Sequence, residues 1–135
     1  MEREKLNTTQ LEVLAGLPKD QPVVMLNLLR FRAVAKYDDG TPACSGREAY
    51  DRYGKLARPA LARVGASMVF MGQPSQALIG PSNERWDLMF LVKYPSVEAF
   101  SAMVSAPEYL AALQHRTAAL EGSRLVPITP HQLSA

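Results

Sequence analysis

Apolar residues in this chain switch between two spacings, and the switches mark its elements. From Pro22 to Arg32, PVVMLNLLRFR, large and β-branched residues follow one another without helical spacing, which predicts a strand. Val23, Met25, Leu29 and Phe31 fall on one face and Val24, Leu26 and Leu28 on the other. A strand apolar on both faces is covered on both faces. Ala66–Gly72 predicts a second strand, and Trp86–Tyr94 a third, with Trp86, Leu88, Phe90 and Val92 opposing Met89 and Leu91. A short strand is expected at Ala77–Gly80 between two proline turns, and a last one from Arg124 to Thr129, ended by Pro130.

Helical spacing fills the intervals. Arg47–Val64 places Tyr50, Tyr53, Ala57, Leu61 and Val64 on one stripe, with Gly65 as the stop. Pro59 is expected to kink or split this helix near residues 56–58. A second helix opens on Ser96 as N-cap and Glu98 in the first turn, turning Phe100, Met103 and Val104 inward. It restarts at Ala106-Pro107-Glu108, buries Leu110, Leu113, Thr117 and Leu120, and stops at Gly122. Ahead of the first strand, Asn7 as cap, Gln10 as capping-box partner and a Leu6–Leu11 staple predict a short helix ended by Gly16 and Pro18. Its expected role is to pack Leu11, Leu14 and Leu17 on the body. Tyr37–Gly46 is turn chemistry, with Asp39-Gly40 a hairpin signal.

Two βαβ halves joined by right-handed crossovers predict an α+β fold, a ferredoxin-like βαββαβ sheet with both main helices on one face. The expected organisation is a single domain over residues 1–135, with a helical extension over 1–20 and a body over 22–129. Such a sheet leaves its second face bare, and a bare apolar face is not left in water. We therefore expect a homodimer whose two sheets close into one α/β barrel; the alternative is a monomer with the N-terminal helix folded over that face.

Composition narrows the function classes. A net charge of +2 on 135 residues, without a block of like charges, argues against a nucleic-acid partner. No apolar run of spanning length and no basic-apolar leader points to a membrane or to export, so a cytoplasmic protein is expected. A lone Cys44 excludes an internal disulfide, and with only His115 and His131 there is no metal-ligand spacing. The expected cofactor and metal set is accordingly none.

Asn27, Tyr50, Tyr53 and Arg116 are the candidate constellation. If Asn27 faces the helices, all four line one cleft between sheet and helices, mostly apolar with a few polar groups. Arg116 would hold a carboxylate or enolate oxygen and the tyrosines would donate protons or hydrogen bonds. The competing reading is structural: Asn27 paired with backbone, tyrosines in the core and Arg116 in an ion pair. Trp86 is read as a pocket wall and His115, beside Arg116, as a candidate proton carrier or ligand contact. Asp87 is expected to balance Arg85 or Arg124, and Arg30, Arg32 and Lys36 to discourage pairing at a strand end.

The segments Tyr94-Pro95-Ser96, Ser105 with Pro107-Glu108-Tyr109, Arg116, and Ser123-Arg124-Leu125 together resemble an uncharacterised family, domain of unknown function number thirteen-thirty. The resemblance spans Val23 to Pro127, and the N-terminal helix and longer first half depart from the shorter members. It implies the dimeric α/β-barrel, ferredoxin-like superfamily but no catalytic residues. That superfamily includes cofactor-free monooxygenases, isomerases, haem proteins and plain binding subunits. Two readings stand on this basis. One is a cofactor-free enzyme acting on a small organic acid or polyketide-like compound, of monooxygenase or isomerase type. The other is a non-catalytic dimeric protein that binds a small anionic or enolisable ligand or serves as a scaffold.

Overall fold

The computed structural model describes residues 8–132, with side chains from Leu11 onward. The capping residues Asn7 and Gln10 and the staple residue Leu6 lie outside the side chains so described. The elements run α1 (Thr8–Ala15), β1 (Val23–Phe31), α2 (Gly46–Arg63), β2 (Ser67–Gly72), β3 (Leu88–Tyr94), α3 (Val97–Ser105), α4 (Pro107–Ala119) and β4 (Leu120–Ile128). The four strands are antiparallel in the order β2-β3-β1-β4, which is the ferredoxin-like arrangement.

β1 sits centrally because it is the strand apolar on both faces. Its burial alternates: Val23, Met25, Asn27 and Leu29 are buried, while Val24, Leu26 and Leu28 are partly exposed. The inner face therefore carries Met25, Asn27 and Leu29, joined by Phe90, Val92 and Tyr94 of β3. Across the outer face, register aligns Phe70, Leu91, Leu26 and Val126 in one row. Residues of all four helices line the inner side, so α1 does not fold over the outer face.

α2 starts one residue earlier than its apolar stripe suggests. Ser45 accepts from the Glu48 amide at 3.0 Å, and the Glu48 carboxylate accepts from the Ser45 amide at 2.9 Å. This is a reciprocal capping box, and it satisfies two otherwise orphaned donors. Gly46 packs on the backbone of Arg32 and Ala119, where a Cβ would collide. The helix is not split at Pro59, whose ring lies on the exposed side.

Three expectations are corrected. Ala77–Gly80 is not a strand but part of the loop between β2 and β3, with Leu78 and Ile79 fully exposed; β2 is already the sheet edge, and nothing beyond it pairs. Gly122 does not end α4. The helix stops at Ala119, and Gly122 lies in β4 opposite Arg30, whose guanidinium would stand 2.5 Å from an added Cβ. The buried stripe of α4 is Tyr109, Ala112, Arg116 and Ala119, while Leu110 and Thr117 are exposed. Small residues win that face because α4 packs on Ala49, Ala57 and Ala60 of α2, where short side chains let the helices approach.

Removing the Ser45 cap with Ser45→Ala should cost about 1 kcal/mol in denaturant unfolding. The Glu48 carboxyl is held below its ordinary pKa by the bonds from the Ser45 amide and hydroxyl. A lowered folded pKa stabilises the fold above the unfolded carboxylate range, and that contribution is lost as pH falls through the folded value. Urea midpoints across the acid range should therefore fall more steeply for the parent than for Glu48→Gln; parallel curves would contradict the box.

Candidate functional site

Between the inner sheet face and the helices lies a cleft of about 1100 Å³. Its helical wall is a stripe of α2 formed by Arg47, Tyr50, Gly54, Arg58 and Leu61, spaced so that all five share one side. Tyr50 and Tyr53 sit with ring centroids 5.1 Å apart. Tyr53 meets Tyr109 of α4 edge-on at 6.0 Å, and their hydroxyls are hydrogen-bonded at 3.0 Å. Phe31 at the end of β1 closes this aromatic run against Tyr50, with centroids 5.5 Å apart.

Polar groups punctuate the floor. Asn27 is buried, and its Nδ2 donates to the Met25 carbonyl at 3.2 Å. Arg116 is buried on α4, and its Nη2 donates to Ser123 Oγ of β4 at 3.4 Å. A guanidinium taken out of water needs such partners. The Tyr50 hydroxyl makes no hydrogen bond among the described residues.

Burial pushes the Tyr50 and Tyr53 phenols well above their ordinary pKa. Arg116 offsets part of this at both, while Tyr109 adds to it. Tyr94, whose hydroxyl donates to the Met103 sulfur at 3.8 Å, is raised by burial as well. Tyr50 and Tyr53 are thus neutral O–H donors at physiological pH, able to stabilise an oxyanion but unable to take a proton. Among the described residues the only carboxylate on the cleft is Asp51, against Arg47, Lys55, Arg58, Arg116 and Arg124. Nor do any three His, Cys, Asp or Glu gather there as a metal-ligand set. The arrangement suits an anion better than a metal ion.

Asn27, Tyr50, Tyr53 and Arg116 therefore come together on one cleft. Trp86 and His115 do not. Trp86 lies between the guanidinium groups of Arg30, 4.9 Å from the ring centroid, and Arg124, at 5.2 Å. Its neighbour Asp87 pairs with Arg85 at 2.5 Å and accepts from the Phe31 amide at 2.8 Å, an extra tie between the loop and β1. His115 points elsewhere than Arg116 because successive helical residues are about 100° apart. Its Nδ1 meets the Tyr37 hydroxyl at 2.6 Å, and burial, then Arg52, lowers its pKa. Arg52 also donates to that hydroxyl, at 3.5 Å.

A family model for a domain of unknown function, DUF1330, matches residues 42–128. The chain belongs to the DUF1330 family. A solved structure, the RPA0582 protein of unknown function from Rhodopseudomonas palustris, is 38% identical over 96% of this chain and 97% of its own, with a TM-score of 0.88. At 14% identity the likeness shows the fold alone. Such are a dimeric ferredoxin-like protein of unknown function from Bacteroides fragilis (82% of this chain, 98% of that one, TM-score 0.52) and SnoaB, a cofactor-independent oxygenase from Streptomyces nogalater (84% and 96%, TM-score 0.53). No protein of curated function matches. No helix among the described residues is long and apolar enough to cross a membrane.

Two participants in this DUF1330 cleft escape sequence reasoning, Tyr109 and Ser123. Tyr109 precedes Arg116 by seven residues, two helical turns, and that spacing is the signal that could have found it. Ser123 has only its strand register, opposite Leu29 on the inner face.

Tyr53→Phe should cost about 1 kcal/mol of stability, since it leaves the buried Tyr109 hydroxyl short of a partner. Tyr50→Phe removes a hydroxyl with no hydrogen-bond partner among the described residues and should leave the thermal midpoint nearly unchanged. Equal losses in the two variants would mean that Tyr50 is as engaged as Tyr53.

Proposed function

We propose that this protein binds a small enolisable or anionic organic molecule in the cleft and stabilises its oxyanion form without metal or prosthetic group. The observation carrying this reading is the Tyr50 hydroxyl, which faces a roomy apolar cleft beside Arg116 and has no hydrogen-bond partner among the described residues. A group so placed is left for a ligand, whereas Tyr53, Tyr109, Asn27 and Ser123 are already bonded within the protein. Arg116 supplies the charge and Tyr50 the proton donor.

The reaction proposed for such a site is of cofactor-free monooxygenase or isomerase type on an organic acid or polyketide-like compound. An isomerase moves a proton within the substrate and needs no co-reactant. In the oxygenation, dioxygen is the oxidant: an activated methylene becomes a carbonyl, and the second oxygen leaves as water with both methylene hydrogens. The SnoaB likeness supports the fold's suitability for this chemistry by analogy only. A second reading, non-catalytic binding, is favoured by the lack of a base in the cleft apart from Asp51 among the described residues.

The test is a thermal-shift screen of small carboxylates and phenols against the parent and Arg116→Gln. A true ligand should raise the parent's melting temperature and lose most of that effect in the variant. If the variant only loses stability and no compound shifts either protein, Arg116 is structural and the reading fails. Incubating a hit aerobically without added cofactor then separates the two classes: new product marks an enzyme, and unchanged compound a binder.

The outer face supports a homodimer within the same proposal. Phe70, Leu91, Leu26 and Val126 form an apolar row that none of the helices covers among the described residues. An apolar row of this kind is normally buried, and a second copy of the same sheet fits it. Light scattering at micromolar concentration should give twice the chain mass for the parent and a monomer for Val126→Lys. A monomeric parent would defeat the barrel.

A further inference from the structure

Gly54 is out of place in an ordinary helix. It lies mid-way along α2, in the same stripe as Tyr50 one turn before and Arg58 one turn after. Glycine inside a helix is destabilising relative to alanine, because it gains no contacts and loses more backbone freedom. Two structural needs usually excuse it, a positive φ or a close approach. Neither holds here: Gly54 is not among the residues with positive φ, and an added Cβ would meet nothing within 4 Å among the described residues. What Gly54 does have is a place on the cleft wall.

The charges around this notch are uneven. Lys55 and Arg58 both line the cleft, and neither has an ion-pair partner among the described residues. Asp51, one turn before Lys55, does not come within ion-pair distance of either. An uncompensated pair of cations beside a recess in the cleft wall attracts an anionic group that can lie in the recess.

We propose that the ligand is elongated and amphipathic, its apolar enolisable head against Tyr50 and its acidic tail running along the α2 wall over Gly54 to reach Lys55 and Arg58. This rests on the cleft being a ligand site, and it makes Gly54 a specificity-determining residue. A small acid held by Arg116 alone would need neither the notch nor the two further cations. A carboxylate, phosphate or sulfonate tail satisfies the same chemistry, since exposed Lys and Arg read charge more than shape.

Two fluorescent dyes of matched body test this: anilinonaphthalene sulfonate, which carries the anion, and phenylnaphthylamine, which lacks it. The parent should bind the sulfonate dye more tightly than the neutral one. The double variant Lys55→Gln/Arg58→Gln should weaken the sulfonate dye about fivefold and leave the neutral dye unchanged. Gly54→Ala should raise the melting temperature of the free protein by a few degrees while weakening the sulfonate dye. Gly54→Leu should abolish the preference between the dyes.

The outcomes separate the two readings. If the dyes bind and Arg116→Gln weakens them, but the variants at positions 54, 55 and 58 do not, the cleft reading stands and the tail proposal is overturned. If no substitution in the cleft changes either dye, the dyes sit elsewhere, on the outer sheet face or an adventitious surface, and both readings fall. A Gly54→Ala protein less stable than the parent would show that the fold itself requires glycine there.

Discussion

At the end of β1 the helix layer is fastened to the sheet by backbone hydrogen bonds. The Gly46 amide donates to the Arg32 carbonyl at 3.1 Å, the Arg32 amide donates to the Ala119 carbonyl at 2.8 Å, and the Lys36 amide donates to the Ala118 carbonyl at 2.9 Å. The first residue of α2, the exit of β1 and the last turn of α4 thus share one knot. Only glycine fits at its centre, because a Cβ on residue 46 would occupy the space of Arg32 and Ala119 backbone atoms. This contact sets how close α2 and α4 come to the sheet at that end. Beyond it the spacing is set by side chains, and the large ones are Tyr50, Tyr53, Tyr109 and Arg116, so the layers stand apart and a cleft remains.

The α2–α4 pair is built on the opposite principle. Ala49, Ala57 and Ala60 of α2 and Ala112, Ala118 and Ala119 of α4 are all buried, and alanines let two helices pack closely. A further tie, the Arg63–Glu108 ion pair, joins the end of α2 to the start of α4, where each charge also suits its helix dipole. The two helices therefore form one slab, tight within itself and propped away from the sheet. That division concentrates the protein's polar interior in a single layer: Asn27 and Ser123 from the strands, the tyrosines and Arg116 from the slab.

How much of this was legible depends on which force dominates each element. β1 is expected over Pro22–Arg32 and runs Val23–Phe31; its two faces are legible because period-two alternation is a geometric fact of strands, and once Met25 and Leu29 face inward Asn27 must as well. α4 was misread by about one position because hydrophobicity was counted in leucines, while packing selected alanines and the apolar stems of Tyr109 and Arg116. The capping box stands in the sequence as Ser45 followed by Glu48, at the end of a segment dominated by turn residues. Trp86 and His115 illustrate a different limit. Proximity in sequence to Asp87 and Arg116 says little about direction in space, and both side chains are engaged by partners distant in the chain, Arg124 and Tyr37. Gly54 could not be singled out at all, since only coordinates show that no neighbour requires it.

The chemistry open to the cleft follows from what its groups can and cannot exchange. Tyr50 and Tyr53 are buried phenols whose pKa values lie above the ordinary one, so they hold their protons. Arg116 is a permanent cation. Neither kind of group removes a proton from carbon; both lower the energy of a negative oxygen once it exists, and they do so more strongly where water is excluded. Substrates with weakly acidic C–H bonds are thereby excluded from the proposed chemistry, because among the described residues nothing on the cleft accepts the proton except Asp51, exposed on α2. The remaining class brings its own acidity: phenols, enols and 1,3-dicarbonyl compounds, whose anions form far more readily than simple carbanions and are favoured by a positive, donor-rich wall. For that class the absence of a base is no defect, since the fold has only to select the anion and hold it dry.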